Sequence, residues 1–253
     1  MLIDTHAHLN FNAFKDDLDK VISRCNEEDI SVINVGSNYE TSKKAVEIAE
    51  KNDNMYAAIG LHPIHAKDEN FDASKYRSLC KSNKVVAIGE IGIDYLREYA
   101  LFKDKQKEVF LKQMDLAKEL KLPVIFHCRM AHEDLLEILN YKLKTINYKL
   151  NGVVHCFTGK WRDAQQYLDM GFHLGFNGII YKLNLKKVIE ETPIEKILIE
   201  TDCPYLIPPQ AEAERNEPIF VKYIAQDIAD VKKIDFQKVA EITTQNAKNL
   251  FNI

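Results

Sequence analysis

Eight short apolar runs, separated by stretches with helical spacing, most narrow what this 253-residue chain can fold into. The runs are Leu2–Thr5, Ser31–Gly36, Met55–Leu61, Val85–Ile91, Leu122–His127, Gly152–His155, Phe172–Asn177 and Lys196–Thr201. Most are apolar throughout rather than alternating, as expected of strands buried on both faces of a parallel sheet. Between them, Phe14–Glu28 carries Leu18, Val21, Ile22 and Cys25 at the three-and-four spacing of one helical face. Helices are also predicted over Thr41–Asn52, Ala73–Ser82, Gln106–Leu120, His132–Tyr148, Lys160–Met170 and Leu183–Glu191, then over Glu217–Val231 and Asp235–Asn252. Strand–helix alternation repeated eight times predicts an α/β protein with one domain over 1–253, a closed (β/α)8 TIM barrel. The alternative is an open doubly wound sheet. It is disfavoured because no Gly-rich phosphate loop follows the first strand.

A net charge of -4 offers no global basic field, so any attraction to nucleic acid must come from a local patch or from bound cations. The first residues lack the basic region, apolar stretch and cleavage site of a signal peptide. No run approaches the ~18 apolar residues of a membrane span. Five cysteines without regular spacing make no disulfide framework. The expectation is a cytoplasmic, reduced monomer with no membrane association and no obligate protein partner. Ile207 to Glu217 opens with two prolines and carries mixed charge, which predicts a long exposed loop.

In such barrels chemistry sits at the C-terminal ends of the strands. Strand one ends in His6-Ala7-His8, whose two imidazoles share a face because strand side chains alternate. Strand three ends in His62, strand four in Glu90 and Asp94, strand five in His127, strand six in His155, strand eight in Glu200-Thr201-Asp202. Five of the eight histidines therefore fall on one rim. Any one of them alone reads best as a satisfied polar residue in the barrel mouth, but six ligand-type residues together do not. Nitrogen and carboxylate donors of this kind suit Zn²⁺, Mn²⁺ or Mg²⁺, and the set is too large for one tetrahedral ion. The expected arrangement is two divalent ions: His6, His8 and Asp202 on one, His127 and His155 on the other, Glu90 between them.

The chain also resembles the TatD-type metal-dependent deoxyribonucleases of the amidohydrolase superfamily. IDTHAHLN, GLHP, GEIGIDY, LPVIFHCR, GVVHCFTG, ETDCPYL and RNEP occur in that family's order over nearly the whole chain. The resemblance implies the same six metal ligands, and it adds DNA as the substrate, cut at phosphodiester bonds. Under that mechanism Asp202 accepts the proton of the attacking water and Glu90 holds the metals. His62 and Arg129 contact phosphate oxygens, and Arg215 is a weaker phosphate candidate. Asn216 and Glu217 fasten the long loop, and Glu200 is considered for a further ion. Two departures stand out: Cys128, Arg129 and Met130 follow His127 where the family usually has Ser, Arg and an acid. Gln210 to Glu214 precedes RNEP where the family often has a basic stretch.

Cys128, Cys156 and Cys203 each directly follow a proposed ligand, and alternation turns such neighbours toward the helix layer as buried thiols. Fold does not fix reaction. A small-molecule amidohydrolase or lactonase, or an aminoacyl-tRNA ester hydrolase, remains an alternative on the same binuclear site. A lysine at the fourth strand, carbamylated in related binuclear enzymes, would favour the former, but this chain has Glu90 there.

Overall fold

The computed structural model describes residues 1–146 and 150–253. Its eight strands are β1 (Leu2–Ala7), β2 (Ile30–Val35), β3 (Met55–Ile59), β4 (Val85–Asp94), β5 (Val124–Arg129), β6 (Gly152–Val154), β7 (His173–Phe176) and β8 (Ile197–Ile199). They pair in parallel in sequence order. The helices are α1 (Leu18–Glu27), α2 (Tyr39–Glu50), α3 (Ala73–Leu79), α4 (Lys103–Leu120), α5 (His132–Ile146), α6 (Trp161–Asp169), α7 (Lys186–Glu191), α8 (Val221–Lys232) and α9 (Phe236–Phe251). This is the (β/α)8 barrel that the alternation predicts. The last residues of the helix predicted to Tyr148 lie outside the described residues. Among the described residues no helix is long and apolar enough to cross a membrane.

The barrel encloses its own apolar core. Ile3, Ile33, Ala58, Ile125, Val153 and Leu198 point inward, and Leu250 and Phe251 of α9 pack against the same cluster. The amphipathic α9 therefore plugs the N-terminal end and leaves the other end as the mouth. A larger apolar layer lies between the strands and the surrounding helices, with Val21 and Cys25 of α1 and Val109 and Phe110 of α4 among its members.

Element boundaries differ from the sequence reading where side chains capture backbone groups. β3 stops at Ile59 rather than Leu61 because the Gln113 amide takes over Leu61, its Oε1 accepting from Leu61 N at 2.7 Å and its Nε2 donating to Leu61 O at 2.9 Å. β4 runs on to Asp94, opposite Arg129 of β5. Residues Gly178–Tyr181 form a 3-10 turn whose first turn Asn177 caps, its Oδ1 accepting from Ile179 N, so α7 starts later than Leu183.

The seam between β1 and β8 sets the geometry of the rim. Beyond an isolated bridge between Ala7 and Cys203, it is closed by bonds at the mouth. Asp202 N donates to His6 O at 2.8 Å and His8 N to Cys203 O at 2.9 Å. Below them the buried Asp4 carboxylate accepts from Thr201 N at 2.9 Å and from the Thr201 hydroxyl at 2.5 Å. These bonds clamp the end of the first strand to the segment after the last one, so residues 6, 8 and 202 of the sequence become neighbours.

Candidate metal centre

At the mouth lies a cavity of about 630 Å³ whose wall includes His8, His62, Glu90, His127, His155 and Asp202. Three overlapping groups bring their donor atoms within 4.8 Å of one another: His6, His8 and Asp202; His6, Glu90 and His155; His62, Glu90 and His127. The buried Glu90 carboxylate is the hub. Its Oε1 lies 2.5 Å from His127 Nδ1, 2.8 Å from His155 Nε2 and 3.4 Å from His62 Nε2, and its Oε2 lies 3.6 Å from His6 Nε2. Asp202 Oδ1 lies 3.4 Å from His8 Nε2 and 3.8 Å from His6 Nε2. Asp202 has φ 57°, a left-handed conformation that Asp tolerates better than most residues.

Four of the rings have an outer partner that decides which nitrogen faces the centre as a lone pair, while His6 Nδ1 is buried with no partner among the described residues. His8 Nδ1 lies 2.8 Å from Val35 O, and a carbonyl only accepts, so Nδ1 carries the proton and Nε2 faces inward bare. His155 Nδ1 lies 3.2 Å from Glu200 Oε1, which again leaves Nε2 for the centre. His127 reverses the pattern. Its Nε2 lies 3.0 Å from Asp94 Oδ2, so Nδ1 is the inward donor atom. His62 is different in kind, because its Nδ1 accepts from Ile64 N at 3.2 Å. That fixes the proton on Nε2, so His62 presents an N–H to the cavity and not a metal-ligating lone pair.

The charge balance has the same cause. Burial opposes ionisation of Glu90, but His62, His155 and His127 more than offset it and hold its pKa well below the ordinary value. Burial also pulls His155 down, and the Glu90 and Glu200 carboxylates reverse that and hold it well above the usual imidazole value. His127 is raised against burial by Glu90 and Asp94. Positive charge is thus drawn into this pocket. Among the described residues the ion pairs of Glu90 and Asp202 are all with imidazoles, so protons or divalent cations supply the countercharge there. Inward lone pairs of three imidazoles converging with Glu90 and Asp202 fit divalent metal ions.

Two strand-end carboxylates take roles that sequence reasoning did not assign to them. Asp94 stands at i+4 from Glu90 on one strand and shares its face, a spacing that could have assigned it as the partner of His127. Glu200, considered for a further ion, instead stands behind His155: its Oε1 also accepts from Cys156 N at 2.7 Å and Asn177 Nδ2 at 2.9 Å. Its Oε2 packs where a Cβ on Gly175 would come within 2.5 Å. Loss of such an orienting partner typically costs 10–100-fold in metal affinity, so Glu200→Gln should weaken metal binding by about that factor. Metal titration followed by calorimetry checks this, and unchanged affinity would exclude the role.

The structure places the substrate candidates unevenly. His62 and Arg129 line the cavity. Arg215 does not, and this corrects the phosphate expectation. Its guanidinium lies 2.7 Å from Asp17 Oδ2 and 2.9 Å from Glu217 Oε1, donates to Ala13 O, and stacks 4.2 Å from the Phe14 ring centroid. A guanidinium held on both edges by carboxylates is an anchor for the long loop, as is Asn216, whose Nδ2 donates to Thr201 O at 3.0 Å and Tyr205 O at 2.6 Å. Of the three cysteines beside ligand positions, Cys128 and Cys203 are buried, though Cys128 also forms part of the cavity wall. Cys156 is half-buried and reaches the cavity wall, because φ 44° breaks the strand alternation there.

Comparison with known proteins agrees with this geometry. The family described as TatD related DNase matches residues 3–252. The chain is 44% identical, over the full length of both proteins, to a Bacillus subtilis protein named an uncharacterized metal-dependent hydrolase, YabD. It is 34% identical, again over the full length of both, to the 3'-5' ssDNA/RNA exonuclease TatD of Pantoea ananatis. Among solved structures, YJJV, a TatD homolog from Escherichia coli, superposes with a TM-score of 0.90 at 26% identity, covering 100% of this chain and 98% of that one.

Proposed function

Because this chain belongs to the TatD related DNase family and is a metal-dependent hydrolase, we propose that it is a nuclease cutting DNA phosphodiester bonds with two divalent ions as cofactors. The observation that carries the reading is the set of proton positions fixed from outside. His8 and His155 through Nε2, and His127 through Nδ1, offer lone pairs toward Glu90 and Asp202. His6, His8 and Asp202 would hold one ion, His127 and His155 the other, and Glu90 would reach both. Ions held there supply Lewis acidity and bring the pKa of water toward neutrality.

The remaining steps belong to the chain's own side chains. Asp202 is kept ionised near neutral pH. Burial works against this, but contact with His8 and the nearby His155 and His6 hold its pKa below the usual carboxylate range. Asp202 therefore accepts a proton from the attacking water and returns it to the departing sugar oxygen. His62 donates its Nε2–H to a non-bridging phosphate oxygen, and Arg129 adds its planar fork at the mouth. Two divalent ions would outweigh the two ligand carboxylates, Glu90 and Asp202, at the face an anionic diester meets, while Asp94 and Glu200 stand behind His127 and His155.

The test is nucleotide release from DNA by chelator-stripped protein resupplied separately with Mg²⁺, Mn²⁺ or Zn²⁺. Release that vanishes on stripping and returns with one ion is the expected result. Silence on DNA with every ion, while the protein still binds about two ions, would move the substrate to small esters, amides or aminoacyl-tRNA.

A further inference from the structure

The strands follow one another around the barrel in sequence order, so the loops after β4, β5, β6 and β7 occupy one continuous half of the rim. The loops after β8, β1, β2 and β3 occupy the other half. The two halves differ in charge. On the first, Arg97, Arg129, Lys160 and Lys182 are all exposed, and none is ion-paired to another described residue. Glu98 is the one carboxylate between strand end and helix start on that half. The second half carries Asp16, Asp68, Glu69, Asp72, Glu212 and Glu214. Of its cations, Arg215 is held between Asp17 and Glu217, and Lys67 lies 3.4 Å from Asp68. Lys15, next to Asp16, is the other cation of those loops.

Among the described residues, four of the six exposed apolar side chains on the rim lie on the first half. Leu101 (82% exposed) and Phe102 (37%) follow β4, Met130 (70%) follows β5, and Leu183 (40%) follows β7. Tyr205 and Ile207 stand just beyond, at the start of the loop after β8, and Tyr205 lines the cavity. Large apolar groups left in water beside unpaired cations suit one kind of ligand, a polyanion whose flat apolar groups are also unpaired. A single-stranded nucleic acid has both, with phosphates for the cations and unstacked bases for the apolar surfaces. A duplex offers only phosphates, because its bases face each other.

Resting on the nuclease reading above, we propose that the strand leaves the metal centre across the loops after β4 to β7. Phosphates run past Lys160 and Lys182 and bases lie on Phe102, Met130 and Leu183, while the acidic half-rim repels the other direction. The cation that the family often carries before RNEP is replaced here by Glu212 and Glu214, so the attraction sits on the opposite arc.

The test uses the metal-loaded enzyme and a fluorescent phosphorothioate oligothymidylate, which resists cleavage, with binding followed by anisotropy over a salt series. Each phosphate neutralised on a single strand contributes about 0.7 to the slope of log affinity against log salt. The double variant Lys160→Ala/Lys182→Ala should lower that slope by about 1.4 and raise KM on long strands, while turnover of a thymidine dinucleotide stays unchanged. Phe102→Ala should weaken strand binding about 5-fold without altering the slope. Glu212→Gln/Glu214→Gln should cause no loss. An unchanged slope in the lysine variant, equal loss on the dinucleotide, or equally tight binding of a duplex would overturn the track. A slope that depends on Lys160 and Lys182 in an enzyme that cleaves no nucleic acid would instead retain the track and refute the nuclease reading.

Discussion

Replacing Glu90 by alanine should reduce nucleotide release by at least ~10²-fold, more than the loss of a partner that merely orients a ligand. Its carboxylate is within 3.6 Å of four imidazoles on four different strands or their ends. Among the described residues it is the one carboxylate common to two of the three donor groups. Removing it leaves His6, His8 and Asp202 as one cluster and His127 and His155 with nothing between. Metal content should fall together with activity, read by elemental analysis of the dialysed protein. Glu90→Gln serves as the control for folding, since it keeps the volume and one acceptor oxygen. It should melt close to the wild type and still lose most of its metal. Alanine and glutamine variants that both retain metal and turnover would remove Glu90 from the centre altogether.

Much of this was legible in the chain itself because the barrel imposes a simple code. Apolar runs buried on both faces announce parallel strands, and the fold then directs whatever polar residue ends a strand into one mouth. His6, Glu90, His127, His155 and Asp202 were readable on those grounds. What was not legible is decided by partners, most of them distant in sequence. The proton on His62 sits on Nε2 only because Ile64 N occupies Nδ1, and those of His8 and His155 are set by Val35 O and Glu200. Histidine spacing carries none of that information. Arg215 was misread for the same reason. Within RNEP it looks like a free cation, but Asp17, nearly two hundred residues earlier, takes its guanidinium once α1 packs beside the long loop. The strand ends were likewise displaced by side chains such as Gln113, which substitutes for a ladder partner at Leu61.

Asp202→Asn separates two roles that the geometry superimposes. The substitution keeps side-chain volume and one oxygen facing His8 Nε2, which lies 3.4 Å from Oδ1, but it cannot accept a proton at neutral pH. If Asp202 moves the proton, kcat on DNA should fall ~10²–10⁴-fold, the range that a positioned acid–base group supplies. KM should change little, and the ion held by His6, His8 and Asp202 should bind more weakly, so kcat is read at saturating metal. The leaving group provides the sharper reading. A sugar oxygen is a strongly basic leaving group that gains far more from protonation than p-nitrophenolate, which departs as the anion. Loss of proton delivery must therefore be smaller on bis(p-nitrophenyl) phosphate than on DNA, while loss of proton acceptance from water is common to both. A deficit that narrows with the better leaving group assigns delivery as well as acceptance to Asp202. Equal deficits that saturating metal restores would reduce it to a ligand. Near-native turnover on DNA would leave the proton to another group, and His62, with its inward N–H, could donate one but not accept one.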